Sequence, residues 1–179
     1  MSKNGLILLT PTSIVTSGSS TITANGSVSV VNDQYLTLNG VFSADYDNYM
    51  LVIRMKSDNL VGYIGCRLAS GGTWAGTDYT QQYLETDSTT VFGYRSTSYN
   101  SIDSAYIQNA LTSGSTTWLY GPYLAQPTAA RSTWASTRDS ARTTDVATTH
   151  PLSTSYDGLG FYNGVTTFSG RIAVYGMRK

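Results

Sequence analysis

Few residues of this sequence have side chains suited to acid-base or metal chemistry. The 179 residues include one histidine, His150, one cysteine, Cys66, and one glutamate, Glu85. A single histidine cannot build a histidine-based metal cluster, and general-base catalysis needs a positioned nucleophile or substrate that nothing in the sequence identifies. The eleven acidic residues are scattered, without a pair that stands out for glycoside hydrolysis. We therefore predict a protein that is not an enzyme and has no catalytic, cofactor-binding or metal-binding residues.

Two short polar motifs resemble ligand-binding loops only in part. Residues 45–48 (Asp-Tyr-Asp-Asn) begin like a calcium loop, but Met50 stands where glycine is required and Lys56 where a bidentate glutamate is required. Because Asp and Asn side chains bond to their own backbone, this stretch is predicted to form a corner that leads into a strand. Residues 70–73 (Ser-Gly-Gly-Thr) lack the lysine and the following helix of a phosphate-binding loop. Neither motif predicts a ligand.

The aromatic residues are the feature that is most typical of a binding surface. The chain has 14 tyrosines, more than core filling usually requires. Three interpretations remain open for those in predicted loops or polar strands: cross-strand pairing within the fold, a protein interface, and stacking on the sugar rings of a glycan. The candidate surface-binding aromatics are Trp74, Tyr79, Tyr94 and Tyr99.

Composition and charge exclude several classes of partner. Eleven basic and eleven acidic residues give a net charge of +0 and form no basic stripe, which disfavours binding to nucleic acid or to an anionic membrane. The apolar run at residues 5–9 is much shorter than the roughly 20 residues of a membrane span. It is also too short for a signal peptide, so we expect synthesis in a cytoplasm without export and no membrane insertion.

The elements that must position these residues are predicted to be strands. Residues 49–55 alternate, with Met50, Val52 and Arg54 on one face and Leu51, Ile53 and Met55 on the other, which suits a strand with one face in a core. Residues 168–177 form a second such strand, and we expect the two to be neighbours or to face each other in one core. Asn-Gly at 25–26 predicts a hairpin. Many short strands joined by such turns predict an all-β, single-domain antiparallel β-sandwich with a jelly-roll-like order.

Two regions of this predicted fold carry further expectations. Residues 96–104 and the residues around His150, which precedes Pro151, are predicted to be exposed loops. Cys66 lies inside an apparent strand without a disulfide partner and is predicted to be a small buried hydrophobic residue.

The N-terminal segment differs from the alternating strands that follow it. Leu6, Ile7, Leu8 and Leu9 are apolar at consecutive positions, so both faces of this segment need covering. We divide the chain into an N-terminal arm or edge strand at 1–18 and a β-sandwich domain at 19–179. The four residues either attach the module to another chain by pairing with its sheet edge or form an ordinary edge strand of this domain.

Four motifs together resemble a known module. They are Leu-Leu-Thr-Pro-Thr-Ser-Ile at 8–14, Leu-Asn-Gly-Val-Phe followed by Tyr-Asp-Asn-Tyr at 38–49, Thr-Ser-Tyr-Asp-Gly at 154–158, and Gly-Arg-Ile-Ala-Val-Tyr-Gly near the end. This combination resembles a β-rich virion surface module of tailed bacteriophages, which occurs alone and at the ends of tail fibres. The motifs are structural corners and strands, so the resemblance implies a virion protein, assembled in the host cytoplasm, and no chemistry.

Two functions are compatible with that resemblance. The first is a capsid decoration or cement protein on the outer shell, with the major capsid protein or other virion proteins as partners; a single module without a shaft is what we expect of such a protein. The alternative is a receptor-binding tail fibre or tail spike module that contacts host-surface glycans. In both cases we expect a homo-oligomer, and a trimer in particular, because identical subunits usually cover each other's surfaces through cyclic symmetry.

Overall fold

A computed structural model describes residues 5–87, 89–109, 111–136 and 142–178 of the protein. Within these ranges the chain forms strands and turns, and no helix there is long and apolar enough to span a membrane. The strands are β1 (Leu6–Leu9), β2 (Ser13–Thr16), β3 (Thr21–Ile22), β4 (Val28–Asp33), β5 (Tyr35–Asn39), β6 (Tyr46–Ser57), β7 (Gly62–Ser70), β8 (Thr73–Trp74), β9 (Tyr79–Asp87), β10 (Thr90–Tyr99), β11 (Ile102–Ile107), β12 (Ser113–Tyr120), β13 (Thr128–Ser136), β14 (Arg142–His150), β15 (Gly158–Tyr162) and β16 (Phe168–Arg178).

The strands form two antiparallel sheets. The larger sheet has the order β10-β9-β14-β13-β12-β6-β16-β4-β3, with β1 also paired to β16. The smaller sheet has the order β11-β7-β15-β5-β2, with β8 paired to β7. This confirms the predicted all-β antiparallel sandwich. The order does not confirm its jelly-roll part, because β9–β10 and β12–β13–β14 are successive hairpins within one sheet.

The two strands predicted to be central are neighbours in the larger sheet. β6 pairs with β16 along almost its whole length. The predicted alternation is confirmed, since Leu51, Ile53 and Met55 are fully buried whereas Val52 and Arg54 are exposed. The core between the sheets is therefore built on one face of β6 and β16.

The corner that precedes β6 lies slightly earlier than predicted. β6 already begins at Tyr46, so residues 46–48 belong to the strand and the turn is centred on Ala44 and Asp45. The hydroxyl of buried Tyr49 donates to the Ser43 carbonyl at 2.9 Å and accepts from the Ser43 amide at 2.9 Å. Because a core tyrosine forms hydrogen bonds with both the amide and the carbonyl of Ser43, the corner does not depend on the Asp and Asn side chains alone.

Two predicted loops are wrong. Residues 96–104 contain the end of β10 and the start of β11, and Asp103 and Ser104 are buried. The Ser104 hydroxyl donates to the Ile64 carbonyl at 3.0 Å, which shows how a polar stretch can enter a core when backbone groups satisfy it. His150 is likewise the last residue of β14 and is buried, not exposed in a loop.

The N-terminal segment 1–18 contributes two edge strands, with residues 1–4 lying outside the described part. β1 pairs with the end of β16 in the larger sheet, and β2 pairs with β5 in the smaller one. Leu9 and Ile14 pack against the core. The segment is thus paired within its own chain, as in the edge-strand alternative. A role in attachment would depend on the side chains that point outward from these strands.

Candidate functional site

The β9–β10 hairpin forms one end of the larger sheet. β10 is exposed along nearly its whole length, whereas the smaller sheet packs through β11 against β12 and β13. The hairpin therefore projects beyond the region that the smaller sheet covers. In such a strand pair, directly opposite residues lie on the same face. Tyr94 lies opposite Tyr83 and Phe92 opposite Glu85, so all four side chains share the face that looks toward the smaller sheet.

These four residues form one wall of a cleft of about 330 Å³, which we name the aromatic cleft. Tyr63 of β7 and Tyr99 at the end of β10 complete it. The Tyr83 ring centroid lies 5.9 Å from that of Tyr94 and 6.2 Å from that of Tyr99. Tyr83 is 8% exposed and forms the floor, while Tyr94, Phe92 and Tyr63 are 56%, 53% and 43% exposed. The cleft thus presents several aromatic rings to solvent around one buried ring.

A small buried cluster holds the floor of the aromatic cleft in place. Tyr83 packs with Trp134 and Val146 of the neighbouring strands. The Tyr63 ring meets the Trp134 ring edge-on at 6.3 Å and the Tyr106 ring at 4.9 Å. Because these rings pack on strands at both sides of the core, the positions of Tyr63 and Tyr83 are set by the sandwich itself.

Two carboxyl groups lie near these rings. Glu85 accepts a hydrogen bond from Arg142 Nη1 at 3.0 Å, and buried Asp103 accepts one from the Tyr83 hydroxyl. Burial raises the pKa of Asp103 to about 7. The pKa of Tyr63 is raised to about 12, first by burial and then by the nearby Glu85 and Asp103 carboxyls. The electrostatic environment of the cleft is therefore neutral to negative.

A second depression, the polar cleft, adjoins the aromatic cleft and shares Tyr63 and Tyr99 with it. Its volume is about 450 Å³. The Tyr162 hydroxyl donates to Asn100 Oδ1 at 2.7 Å, and the Arg67 guanidinium lies 4.2 Å from the Tyr162 ring centroid. The further lining residues with polar side chains are Ser101, Asp103, Tyr106 and Asn163. This cleft combines rings with amide and hydroxyl groups.

The outer face of the larger sheet, the face turned away from the smaller sheet, is a third surface of interest. Strand register places Leu84, Asp145, Thr133, Thr116 and Val52 in one row across five strands. A parallel row runs through Trp118, Met50, Tyr175 and Leu8. The exposed large apolar residues on this face are Leu6, Val52, Leu84, Val91, Tyr120 and Met177. No described part of the chain covers them.

Basic residues accompany the apolar rows on the outer face. Arg54 lies directly opposite Arg171, and Lys56 follows two residues later on the same face. Together they line a hollow of about 300 Å³. Asp145 on this face is paired with Arg131 at 2.5 Å, and Asp58, just after β6, accepts a hydrogen bond from Ser169 beside the hollow at 3.0 Å. The outer face is therefore apolar and basic.

The four predicted surface aromatics do not form one site. Tyr94 and Tyr99 lie together in the aromatic cleft. Trp74 lies on the far side of the smaller sheet, where its indole N–H donates to Thr37 Oγ1 at 2.9 Å. Its ring lies over Gly160, where a Cβ would meet the ring at 2.2 Å, so glycine is required there for this close approach. Trp74 is accordingly occupied by the fold.

The prediction that Tyr79 is a surface aromatic is wrong. Tyr79 is fully buried at the start of β9. Its hydroxyl accepts from the Leu68 amide at 3.0 Å and donates to the Ala75 carbonyl at 3.0 Å. Burial raises its pKa, and its ring lies 4.6 Å from that of His150. The two backbone bonds satisfy the hydroxyl, so this ring belongs to the core.

Sequence reasoning missed three residues of the aromatic cleft: Tyr63, Tyr83 and Phe92. The signal that could have found two of them is the period of two along β9 and β10. Tyr83 and Glu85 are two positions apart in β9, as are Phe92 and Tyr94 in β10. Side chains two positions apart in a strand lie on the same face. Tyr63 lies on a different sheet, and no local pattern could have brought it to this cleft.

The candidate attachment residues divide between the two faces of β1. Leu6 and Leu8 lie opposite Met177 and Tyr175 and belong to the outer face, whereas Leu9 lies opposite buried Val174 and packs against the core. Ile7 lies opposite Gly176 and shares the face of Leu9. The segment therefore needs covering on one face only.

His150 and Cys66 lie in the interior, away from the clefts. The His150 ring is between Tyr79 and Tyr156, with Nδ1 3.3 Å from the Tyr156 hydroxyl, and burial lowers its pKa. Cys66 is fully buried in β7, which confirms the prediction for this residue, and burial raises the pKa of its thiol. Among the described residues, no group of three or more His, Cys, Asp or Glu side chains is placed to hold a metal ion.

Comparison with known proteins gave no match, since no protein-family model, curated protein or solved structure is significantly similar to this chain. The function must therefore be argued from the surfaces described above.

Proposed function

We propose that this protein is a structural protein of a tailed-bacteriophage virion, a capsid decoration protein that binds the outer shell through the outer face of its larger sheet. The four sequence motifs that resemble virion surface modules support the class of protein. The composition of the outer face supports the mode of attachment, and it is the observation that carries the proposal.

That composition is typical of a protein interface. Interfaces are enriched in aromatic residues, methionine and arginine and depleted in acidic residues. The outer face has Trp118, Tyr120, Met50 and Arg54, while Asp145 is paired with Arg131 and Asp58 is hydrogen-bonded to Ser169. Leu6 and Leu8 extend the same surface, so the attachment segment is part of a larger face rather than a separate arm. Arg54 and Arg171 lie directly opposite each other, an unfavourable arrangement that an acidic partner surface would relieve.

The experiment uses particles that lack the protein and measures how much added protein sediments with them. Val52→Lys combined with Leu84→Lys should abolish binding, because both residues lie in the central row of the outer face. Val15→Lys is the matched control, since Val15 is 55% exposed on the smaller sheet. Binding by the double variant, with an unchanged circular dichroism spectrum, would place attachment elsewhere.

Copy number separates decoration from a tail location. A decoration protein should be present in hundreds of copies per particle, whereas a tail protein should be present in a few to a few dozen. Quantitative mass spectrometry of purified virions against the major capsid protein measures this ratio. A ratio in the tail range would contradict the proposal of a capsid decoration protein. It would leave the more general proposal of a virion structural protein in place.

The second candidate function is a receptor-binding tail fibre or tail spike module that contacts host-surface glycans. The polar cleft favours it, because the tyrosine rings there lie beside the exposed side-chain amide of Asn100, a combination that suits a sugar. A glycan array probed with the protein and with an Asn100→Ala variant tests this function. Specific binding that the variant loses would support it, and no binding to any glycan would count against it.

A further inference from the structure

The aromatic cleft has a chemistry that neither decoration nor sugar binding requires. Among the described residues, its lining consists of five aromatic rings and one carboxylate, without a lysine, arginine or amide side chain. The exposed amide that could orient a sugar, that of Asn100, lies in the adjoining polar cleft instead. We propose that the aromatic cleft is a binding site for a methylated ammonium group, such as the trimethylammonium group of choline.

The rings supply the main attraction. The face of an aromatic ring is electrically negative and attracts a cation placed over it, and quaternary ammonium ions are commonly held by several rings around one concave site. Tyr94, Phe92 and Tyr63 are all about half exposed around the buried Tyr83 floor, so a ligand can reach them from solvent. The volume of about 330 Å³ falls within the range of about 300 to 1,000 Å³ that is usual for small-ligand sites.

Glu85 supplies a negative charge at the same cleft. Its Oε1 is paired with Arg142 at 3.0 Å, whereas Oε2 has a longer contact of 3.5 Å from the Thr144 hydroxyl. Arg142 lies on the neighbouring strand β14, on the same face as Glu85, and is not among the residues that line the cleft. A ligand cation in the cleft meets the rings and the less engaged carboxylate oxygen.

The methylated form of the cation follows from the apolar walls. A primary ammonium is a compact and strongly hydrated charge, and it would lose hydrogen bonds to water on entering a site that offers mainly ring faces. Methyl groups spread the charge and pack against rings without unpaired donors. The cleft therefore fits a methylated ammonium better than a lysine side chain.

The proposal can be tested by titrating the purified protein with choline and with its uncharged carbon analogue, dimethylbutanol, by calorimetry or by chemical shifts of the aromatic protons. The two probes have the same shape, so their difference reports the charge. Choline should bind with a Kd at or below about 1 mM, and the analogue should bind at least about tenfold more weakly. Equal binding of the two, or no binding of choline, would overturn the proposal.

Variants assign the binding to the cleft. Tyr94→Phe keeps the ring and should leave choline affinity within about twofold, whereas Tyr94→Leu removes it and should weaken binding at least about fivefold. Tyr120→Leu removes a ring that is 43% exposed on the outer face, compared with 56% for Tyr94, and should have no effect on choline affinity. Tyr94 is exposed on an end strand, so these variants are expected to fold, which circular dichroism checks. Equal affinity of Tyr94→Leu and wild type would show that choline binds elsewhere.

This inference does not depend on the attachment proposal. The variants Val52→Lys and Leu84→Lys change the outer face, and the choline titration of that double variant should match the wild type. Loss of particle binding with intact choline binding would separate the two surfaces, and an altered choline affinity there would contradict the placement of the site.

Discussion

At the scale of single residues, Asp103 is the group whose burial has a measurable consequence. Its carboxyl is 4% exposed, accepts a hydrogen bond from the Tyr83 hydroxyl, and has a pKa raised to about 7 by burial. In the unfolded chain the same group ionises near its usual pKa of about 3.9. The folded state therefore holds a proton that the unfolded state releases, and stability falls as pH rises between these two values.

We predict that Asp103→Asn removes this fall in the free energy of unfolding with rising pH. Relative to wild type, the variant should gain stability as pH rises from about 4 to about 7, by up to roughly 4 kcal/mol for a difference of roughly three pKa units. His150, whose pKa is lowered by burial, gives the opposite slope below its usual pKa of about 6.5, but it is present in both proteins and cancels in the difference. Denaturant unfolding at several pH values measures the effect. A stability difference that does not change with pH would show that Asp103 is not buried in its protonated form.

Residues also show where sequence reasoning succeeds and where it stops. The burial of Leu51, Ile53 and Met55 followed from alternation because β6 has one sheet packed on one face. Tyr79 was placed wrongly because polar residues surround it in the sequence, and His150 because it precedes a proline. Backbone partners and neighbouring rings accommodate both side chains in the interior. Burial of a polar residue depends on partners distant in sequence, which alternation does not report.

At the scale of elements, the two faces of β1 have different surroundings. Leu9 packs against the core, whereas Leu8 belongs to the outer face. We predict that Leu9→Ala lowers the free energy of unfolding by roughly 1 to 2 kcal/mol, less than for a fully buried leucine, without affecting particle binding. Leu8→Lys should do the reverse, with stability close to wild type and weakened binding to particles.

Thermal unfolding and particle sedimentation of both variants check this prediction. Equal loss of stability in the two variants would mean that the whole strand is structural. Normal particle binding by Leu8→Lys would remove β1 from the attachment surface and leave that role to the central rows of the outer face.

Elements with a local turn signal were predictable, and those defined by long-range pairing were not. The hairpin at Asn25 and Gly26 is confirmed as β3–β4, with Gly26 at a φ of +92° that favours glycine. By contrast, the residues between Ser96 and Ser104 look like a loop in sequence because they are polar. They form strand ends because β9 and β7 supply the pairing partners. The aromatic cleft lies at this junction, so its full set of residues could not be read from local pattern.

At the scale of the whole molecule, the larger sheet has more surface than one chain covers. β10 lies at the end of this sheet, unpaired on one side within the described residues, with Val91 exposed on the outer face. Native proteins usually blunt or cover such an edge, and identical neighbours are a common way to do so. We therefore predict that the protein is a trimer at micromolar concentration, in which β10 lies in or beside the contact between subunits.

Native mass spectrometry and sedimentation velocity measure the assembly, and one variant tests the contact. Val91→Lys adds a charge to the β10 edge at a residue that is already exposed, so it should shift the trimer toward monomer while each subunit stays folded. Val15→Lys on β2, an edge strand of the smaller sheet, should leave the trimer unchanged. A monomeric wild type would contradict self-assembly independent of the shell. A trimer that tolerates Val91→Lys would move the subunit contact away from β10.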